Sequence, residues 1–267
     1  MAAAPHIVWM IMFIVAPMLF VLYFAFTETS DSGKVVFTFS NIASLSQYTN
    51  VFILSIAFAL IATVICLLIG YPLAYFMSRT TPKMQKILMV LIMLPMWCNL
   101  LIRTYALMAL LDNGGLLNSF LESLGLDKLY IVGSDAGVIL GMVYDFLPYM
   151  VLPIFTTMSK LDKKYIEAAH DLGCSSWQTM TKVIMPLTVS GVISGVTMVF
   201  VPSISTFYIS QKLGGGTFEV IGDTIERQFV TGALNAGAAI SLVMMILILL
   251  SITVMNKFSD EDGGIIV

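Results

Sequence analysis

Along this chain the apolar positions come in long unbroken runs and the polar ones in short clusters between them. Six runs stand out, at residues 7–26, 52–77, 87–111, 136–158, 187–209 and 237–256. Each is long enough to cross a bilayer, which takes about 20 helical residues at ~1.5 Å of rise. The runs are continuously apolar and do not alternate in ten-residue segments, so the pattern predicts helices and not a barrel. The expected fold is an all-α membrane protein with six transmembrane helices, forming a single membrane domain over residues 1–267. No basic stretch precedes the first run, which is therefore read as a retained span and not as a cleaved secretory signal.

Composition sharpens this reading. The chain is 58% hydrophobic and 11% charged, whereas soluble domains carry about a quarter charged residues. A net charge of −3 gives no reason to expect a nucleic-acid partner. Cys66, Cys98 and Cys174 have no CxxC spacing, and with only two histidines neither a disulfide framework nor a metal site is implied.

Orientation follows from the basic residues of the short connections, which stay on the cytoplasmic side. Arg79, Lys83, Lys86, Lys160, Lys163, Lys164, Lys182 and Lys257 fall on one side, and Lys34, Lys128, Lys212 and Arg227 on the other. The eight-to-four bias predicts that both termini are cytoplasmic. It leaves residues 27–51, 112–135 and 210–236 outside, where Asp112, Glu122, Asp127 and Asp135 make the second loop acidic. Such a face either reflects the scarcity of basic residues in translocated loops or attracts cations.

The most informative connection is the loop 159–186. Asp162 has the character of an N-cap and Gly173 that of a left-handed residue after a helix end, so about ten residues between them should form a helix ~15 Å long. Ser175 with Gln178 three residues later resembles a capping box opening a second short helix, with Trp177, Met180 and Ile184 on one apolar stripe. Pro186 is expected to begin the fifth span. On the first helix Ala168, Ala169 and Leu172 form a small-residue face, with Glu167, His170 and Asp171 polar beside it. The arrangement suits either a docking surface for another protein or an ordinary solvated loop helix.

Glu167-Ala168-Ala169, three residues, Gly173, nine residues, then Val183-Ile184-Met185-Pro186 resembles the signature of ABC importer permeases. Val183 and Met185 replace the Ile and Leu of that pattern, both volume-conserving changes. Gly70-Tyr71-Pro72-Leu73-Ala74-Tyr75, Leu101-Ile102-Arg103-Thr104-Tyr105, Val143-Tyr144, Leu147-Pro148-Tyr149-Met150-Val151-Leu152-Pro153 and Phe207-Tyr208-Ile209-Ser210 extend the resemblance to the PotB-like family of spermidine/putrescine importer permeases. Permeases for thiamine, ferric iron or phosphonates share the architecture and are the alternative. The resemblance implies a type I ABC importer permease fold in the plasma membrane of a bacterium. It implies a cytoplasmic coupling loop at 159–186 with Glu167, Ala168, Ala169, Asp171 and Gly173 at its contact with an ATPase. Expected partners are a second homologous permease subunit, two ATPase subunits, an extracytoplasmic substrate-binding protein and the lipid bilayer. No catalytic residue and no cofactor is expected in this chain, since no GxxxxGK[S/T] phosphate loop occurs; ATP and Mg would be bound by the partner ATPase.

Two ionisable residues fall inside predicted spans. Arg103 lies ~12 Å and Asp145 ~14 Å from the outer ends of consecutive spans, and each costs at least ~2.5–3.5 kcal/mol at the centre of a lone helix. Either they pair, or Asp145 with Tyr144, Tyr105 and Arg103 lines a path where a substrate ammonium is neutralised. Gly191 with Gly195 and Gly137 with Gly141 have the spacing of close helix contacts, and Pro72, Pro95, Pro153 and Pro202 are expected to kink spans. Gly214-Gly215-Gly216 forms a flexible outer loop available to a binding protein. An intramembrane enzyme is disfavoured by the absence of HExxH, GxSxG and GxGD-like pairs, and a stand-alone secondary transporter is the remaining rival.

Overall fold

Apolar helices in lipid associate by close packing and interhelical hydrogen bonds, and both govern this architecture. The computed structural model describes residues 4–29, 34–216 and 219–263. The chain ends at 1–3 and 264–267, on which the expected placement of the termini partly falls, lie outside the described residues. Three long helices, Thr49–Ser78, Asp135–Ser159 and Val189–Ser205, pack on one another to form the main core. Glycines let them approach closely. A Cβ on Gly195 would lie 2.8 Å from Met150 Sδ and 3.0 Å from Met150 O, and one on Gly191 would lie 2.5 Å from Thr157 Oγ1. Gly70 faces Met150 and Val151 in the same way. The first helical segment, Pro5–Ala25, packs at its far end on the last helix, Leu234–Gly263, which in turn covers Val189–Ser205.

Among the described residues five helices are long and apolar enough to cross a membrane, or six when one bent pair is taken as a single span. The bent pair is the fifth predicted span. Ser176–Leu187 meets Val189–Ser205 at 68°, so the straight part begins at Val189 and not at Pro186. Met180–Ile184 is wound as π-helix, and Pro186 lacks the N–H that would continue the ladder. Thr188, fully buried at the corner, donates its hydroxyl to Ile184 O at 2.8 Å, so Tyr71 Oη, 3.0 Å away, is the donor to Thr188 Oγ1. The corner is thereby tied to the Thr49–Ser78 helix.

Two further expectations are corrected. Residues 87–111 are not one helix: Pro82–Trp97 ends and Leu100–Leu111 starts afresh. Pro95 removes a donor from the last turn, Cys98 is extended, and the Asn99 side chain accepts from Leu101 N at 2.8 Å as a new N-cap. The span-length segment here runs Leu100–Ser123. The chain is also not wholly helical. Thr27–Thr29 and Val35–Phe37, rich in β-branched residues, pair antiparallel with Glu28 opposite Val36; beside them Phe26 and Phe37 stack, and Phe39 meets both edge to face. Pro72, Pro95, Pro153 and Pro202 all lie inside helices.

Candidate functional site

The loop after the Asp135–Ser159 helix is built from local signals. Asp162 Oδ1 accepts from Lys164 N at 3.0 Å and opens the helix Lys163–Asp171. Gly173, at φ +79, closes it. Gly173 N–H bonds His170 O at 2.9 Å and Cys174 N–H bonds Ala169 O at 3.0 Å, the two bonds of a Schellman end. Ser175 and Gln178 then exchange the reciprocal bonds of a capping box, at 2.9 and 3.3 Å, and start Ser176–Thr179.

The faces of this helix differ from expectation in one respect. Ala169 is buried and shares its side with Ile166, which packs against the main core. It seats the helix on its own chain and is not part of an open face. The exposed line is Tyr165, Ala168 and Leu172, the last 85% exposed, with Glu167 and Asp171 also exposed. Trp177 likewise points outward while Ile184 is buried, so the predicted Trp177–Met180–Ile184 stripe is divided between solvent-facing and core-facing sides.

Within the span region Arg103 Nη2 lies 3.3 Å from Asp145 Oδ1, and Thr104 Oγ1 donates to Asp145 Oδ2 at 3.3 Å. Asp145 is fully buried and Arg103 nearly so. The pair joins Leu100–Leu111 to Asp135–Ser159 at the matching depth that residue counting gives. Arg103 Nε and Nη1 are buried with no hydrogen-bond partner among the described residues, so the guanidinium is only partly satisfied.

The tyrosines named with this pair do not gather around it. Tyr144 is exposed, and Tyr105, two residues past Arg103, turns to another side of the helix. There it meets Tyr208 edge to face, ring centroids 6.0 Å apart, and the Lys212 ammonium lies 5.2 Å from the Tyr105 centroid and 5.7 Å from that of Tyr208. Tyr208 and Lys212 stand one turn apart on the short helix Tyr208–Leu213. Sequence reading singled out neither for a site. The i, i+4 spacing of an aromatic and a lysine was the available signal, but nothing local ties it to Tyr105.

An open groove of about 520 Å³ lies between the segment after Val189–Ser205 and the last helix, lined chiefly by Phe207, Ile225, Met244, Met245 and Ile248, with Glu226 at its edge. Among the described residues no group of three or more His, Cys, Asp or Glu could hold a metal ion.

Comparison with known proteins bears on what this arrangement serves. The family described as "binding-protein-dependent transport system inner membrane component" matches residues 70–261. The spermidine/putrescine transport system permease protein PotB of Escherichia coli K12 is 39% identical over 228 residues, covering 83% of each chain. Its counterpart in Haemophilus influenzae Rd is 37% identical over 253 residues, covering 92% of this chain and 88% of that one. Among solved structures, a chain of a bacterial alginate ABC transporter, in complex with an alginate pentasaccharide-bound periplasmic protein, superposes with a TM-score of 0.74 at 19% identity, covering 96% of this chain and 91% of that one. That last likeness establishes the fold alone. Together with the apolar helices, these relationships make this chain a multi-pass bacterial membrane protein that serves transport and not catalysis. It belongs to the family of binding-protein-dependent transport system inner membrane components.

Proposed function

We propose that this chain forms half of the translocation path of an ATP-driven importer for polyamines of the spermidine and putrescine class. The observation that carries the substrate class is the 37–39% identity to spermidine/putrescine permeases over four-fifths or more of both chains. On this reading six spans cross the membrane, the bent pair counting as one, with both termini in the cytoplasm. The loop 159–186 then faces the cytoplasm and couples the path to an ATPase. Glu167, Ala168, Asp171 and the exposed Leu172 make the contact, while Ala169 and Gly173 fix the helix that presents them. A second, homologous permease completes the path, two ATPase subunits bind ATP and Mg, and an extracytoplasmic protein delivers the substrate. The apolar groove beside Met244 and Met245 supports a subunit interface on that side.

The mechanism asks little of this chain chemically. A loop helix fixed at both ends by capping bonds moves as a unit with whatever grips its exposed line. The glycine-packed three-helix core transmits that motion because close-packed interiors deform little. The test is reconstitution with the ATPase, the second permease and the binding protein, followed by uptake of labelled putrescine and spermidine. Uptake that needs ATP and all partners is expected. Uptake of a different solute class with none of either amine would overturn the substrate, and amine uptake by this chain alone would overturn the assembly.

A further inference from the structure

Lys212 is a cation held by rings. Among the described residues no carboxylate lies within ion-pair distance of it, and its ammonium sits over the faces of Tyr105 and Tyr208, the geometry of a cation–π contact. The short helix that carries it is anchored on its other side: Leu213 and Ile209 are fully buried, and a Cβ on Gly141 would lie 2.3 Å from Leu213 Cδ1 and 2.8 Å from Ile209 Cγ2. Gly133 N–H bonds Leu213 O at 2.7 Å and fixes the end. The ring pair is thus presented by two rigid elements, while the third member of the cluster, Lys212, is a flexible side chain.

The location is suited to transit. Tyr105 lies six residues, ~9 Å, inside the end of Leu100–Leu111, and it is half exposed on the isolated chain. Where this surface lies within the bilayer, a charge on it faces a water-filled cavity or a protein neighbour and not lipid. Chemically, a lysine side chain is a primary ammonium on a four-carbon stem, which is one end of putrescine. Aromatic faces that hold the first will hold the second, because the attraction depends on the cation and the ring and not on the tether.

We infer that Tyr105 and Tyr208 form an ammonium-binding site on the translocation path, and that Lys212 is its built-in occupant, displaced by the ammonium of the passing substrate. This rests on the polyamine reading. A tethered occupant keeps the rings covered when no substrate is present, and the exchange is like for like, so the ring pair holds one ammonium before and after the substrate enters.

The test uses the complete complex. Its lysines are reductively methylated with isotope-labelled methyl groups, which keeps their charge, and the Lys212 signal is identified by its loss in Lys212→Arg. Ring currents from two tyrosines should displace that signal, and adding putrescine should return it toward the solvent position, whereas neutral butanediol should not. In uptake assays at equal amounts of assembled complex, Tyr208→Leu should lower putrescine uptake several-fold and Tyr208→Phe, which keeps the ring face, should restore most of it. Lys212→Met should raise uptake, opposite in sign to Tyr208→Leu. A Lys212 signal unmoved by putrescine in a complex that imports putrescine overturns the inference alone. So does loss of uptake in Lys212→Met to the level of Tyr208→Leu, the result expected if the cluster only holds two helices together. A wild-type complex that imports no amine overturns the polyamine reading first, and the inference with it.

Discussion

Removing either member of the Arg103–Asp145 pair should damage assembly far more than removing both. Asp145 is fully buried and reaches Arg103 at 3.3 Å. Two further guanidinium nitrogens of Arg103 already lack partners. Asp145→Leu leaves that cation with no side-chain partner among the described residues, whereas Thr104 keeps a bond to Leu100 O at 2.9 Å, so the damage concentrates on Arg103. Arg103→Met strands the carboxylate in the same way. Stranding one charge of a buried pair costs about 3–5 kcal/mol, a large part of the ~5–15 kcal/mol that separates folded from unfolded states. The double replacement removes both charges, and apolar substitutes for buried pairs are often neutral. With each single costing about 3–5 kcal/mol and the double near neutral, the double variant should be less damaged than either single, a recovery of about 6–10 kcal/mol relative to their sum. The assay is the thermal midpoint and yield of the assembled complex for the wild type and the three variants. Additive losses would show that the two side chains do not depend on each other. If Asp145→Asn assembled normally and yet abolished amine uptake, the pair would be a transport element and the structural account would be wrong.

Gly173→Asp forces a side chain into φ +79 with open space around its Cβ, a backbone strain of about 1–2 kcal/mol; uptake and binding-protein-stimulated ATP hydrolysis in proteoliposomes should fall together while the chain still inserts. Leu172→Glu, at a position 85% exposed, should leave folding intact and lower uptake, and wild-type uptake there would remove the exposed line from the ATPase contact. Ala169→Glu acts differently, burying a charge beneath the helix, and should reduce the yield of assembled complex as well as coupling. Gly195→Leu would drive a side chain into the Met150 backbone and should cost about 1–3 kcal/mol, read as a lower thermal midpoint; an unchanged midpoint would mean that the three-helix core is looser than described.

The parts of this molecule that could be read from the chain are those specified by neighbours in sequence. The Lys163–Asp171 helix was legible at both ends because Asp162, Gly173, Ser175 and Gln178 satisfy backbone groups within a few residues of themselves. The depth match of Arg103 and Asp145 was also countable, since helical rise is constant. Ala169 was misjudged because alanines at 168 and 169 offer no contrast between faces, and only the core beneath decides which one turns inward. The break at Cys98 and Asn99 carries no strong signal, as Pro95 alone is compatible with a kinked continuous helix. The corner at Thr188 rests on a bond from Tyr71, and the Tyr105–Tyr208–Lys212 cluster joins segments remote in sequence, so neither could be found by pattern.

The corner at Thr188 has a mechanical consequence. Ser176–Leu187 is twelve residues, about 18 Å of helix, standing at 68° to the straight helix beyond it. With Tyr71 pinning the elbow, the two limbs form a crank whose short arm leads back to the Lys163–Asp171 helix. A rotation of roughly 10° about the elbow would carry the far end of that arm about 3 Å, by the arithmetic of its length. Length therefore sets the gearing. Shortening the arm by one turn at fixed rotation would cut the stroke by nearly a third, and a partner that moves by a fixed distance would then have to turn the elbow further to produce the same opening.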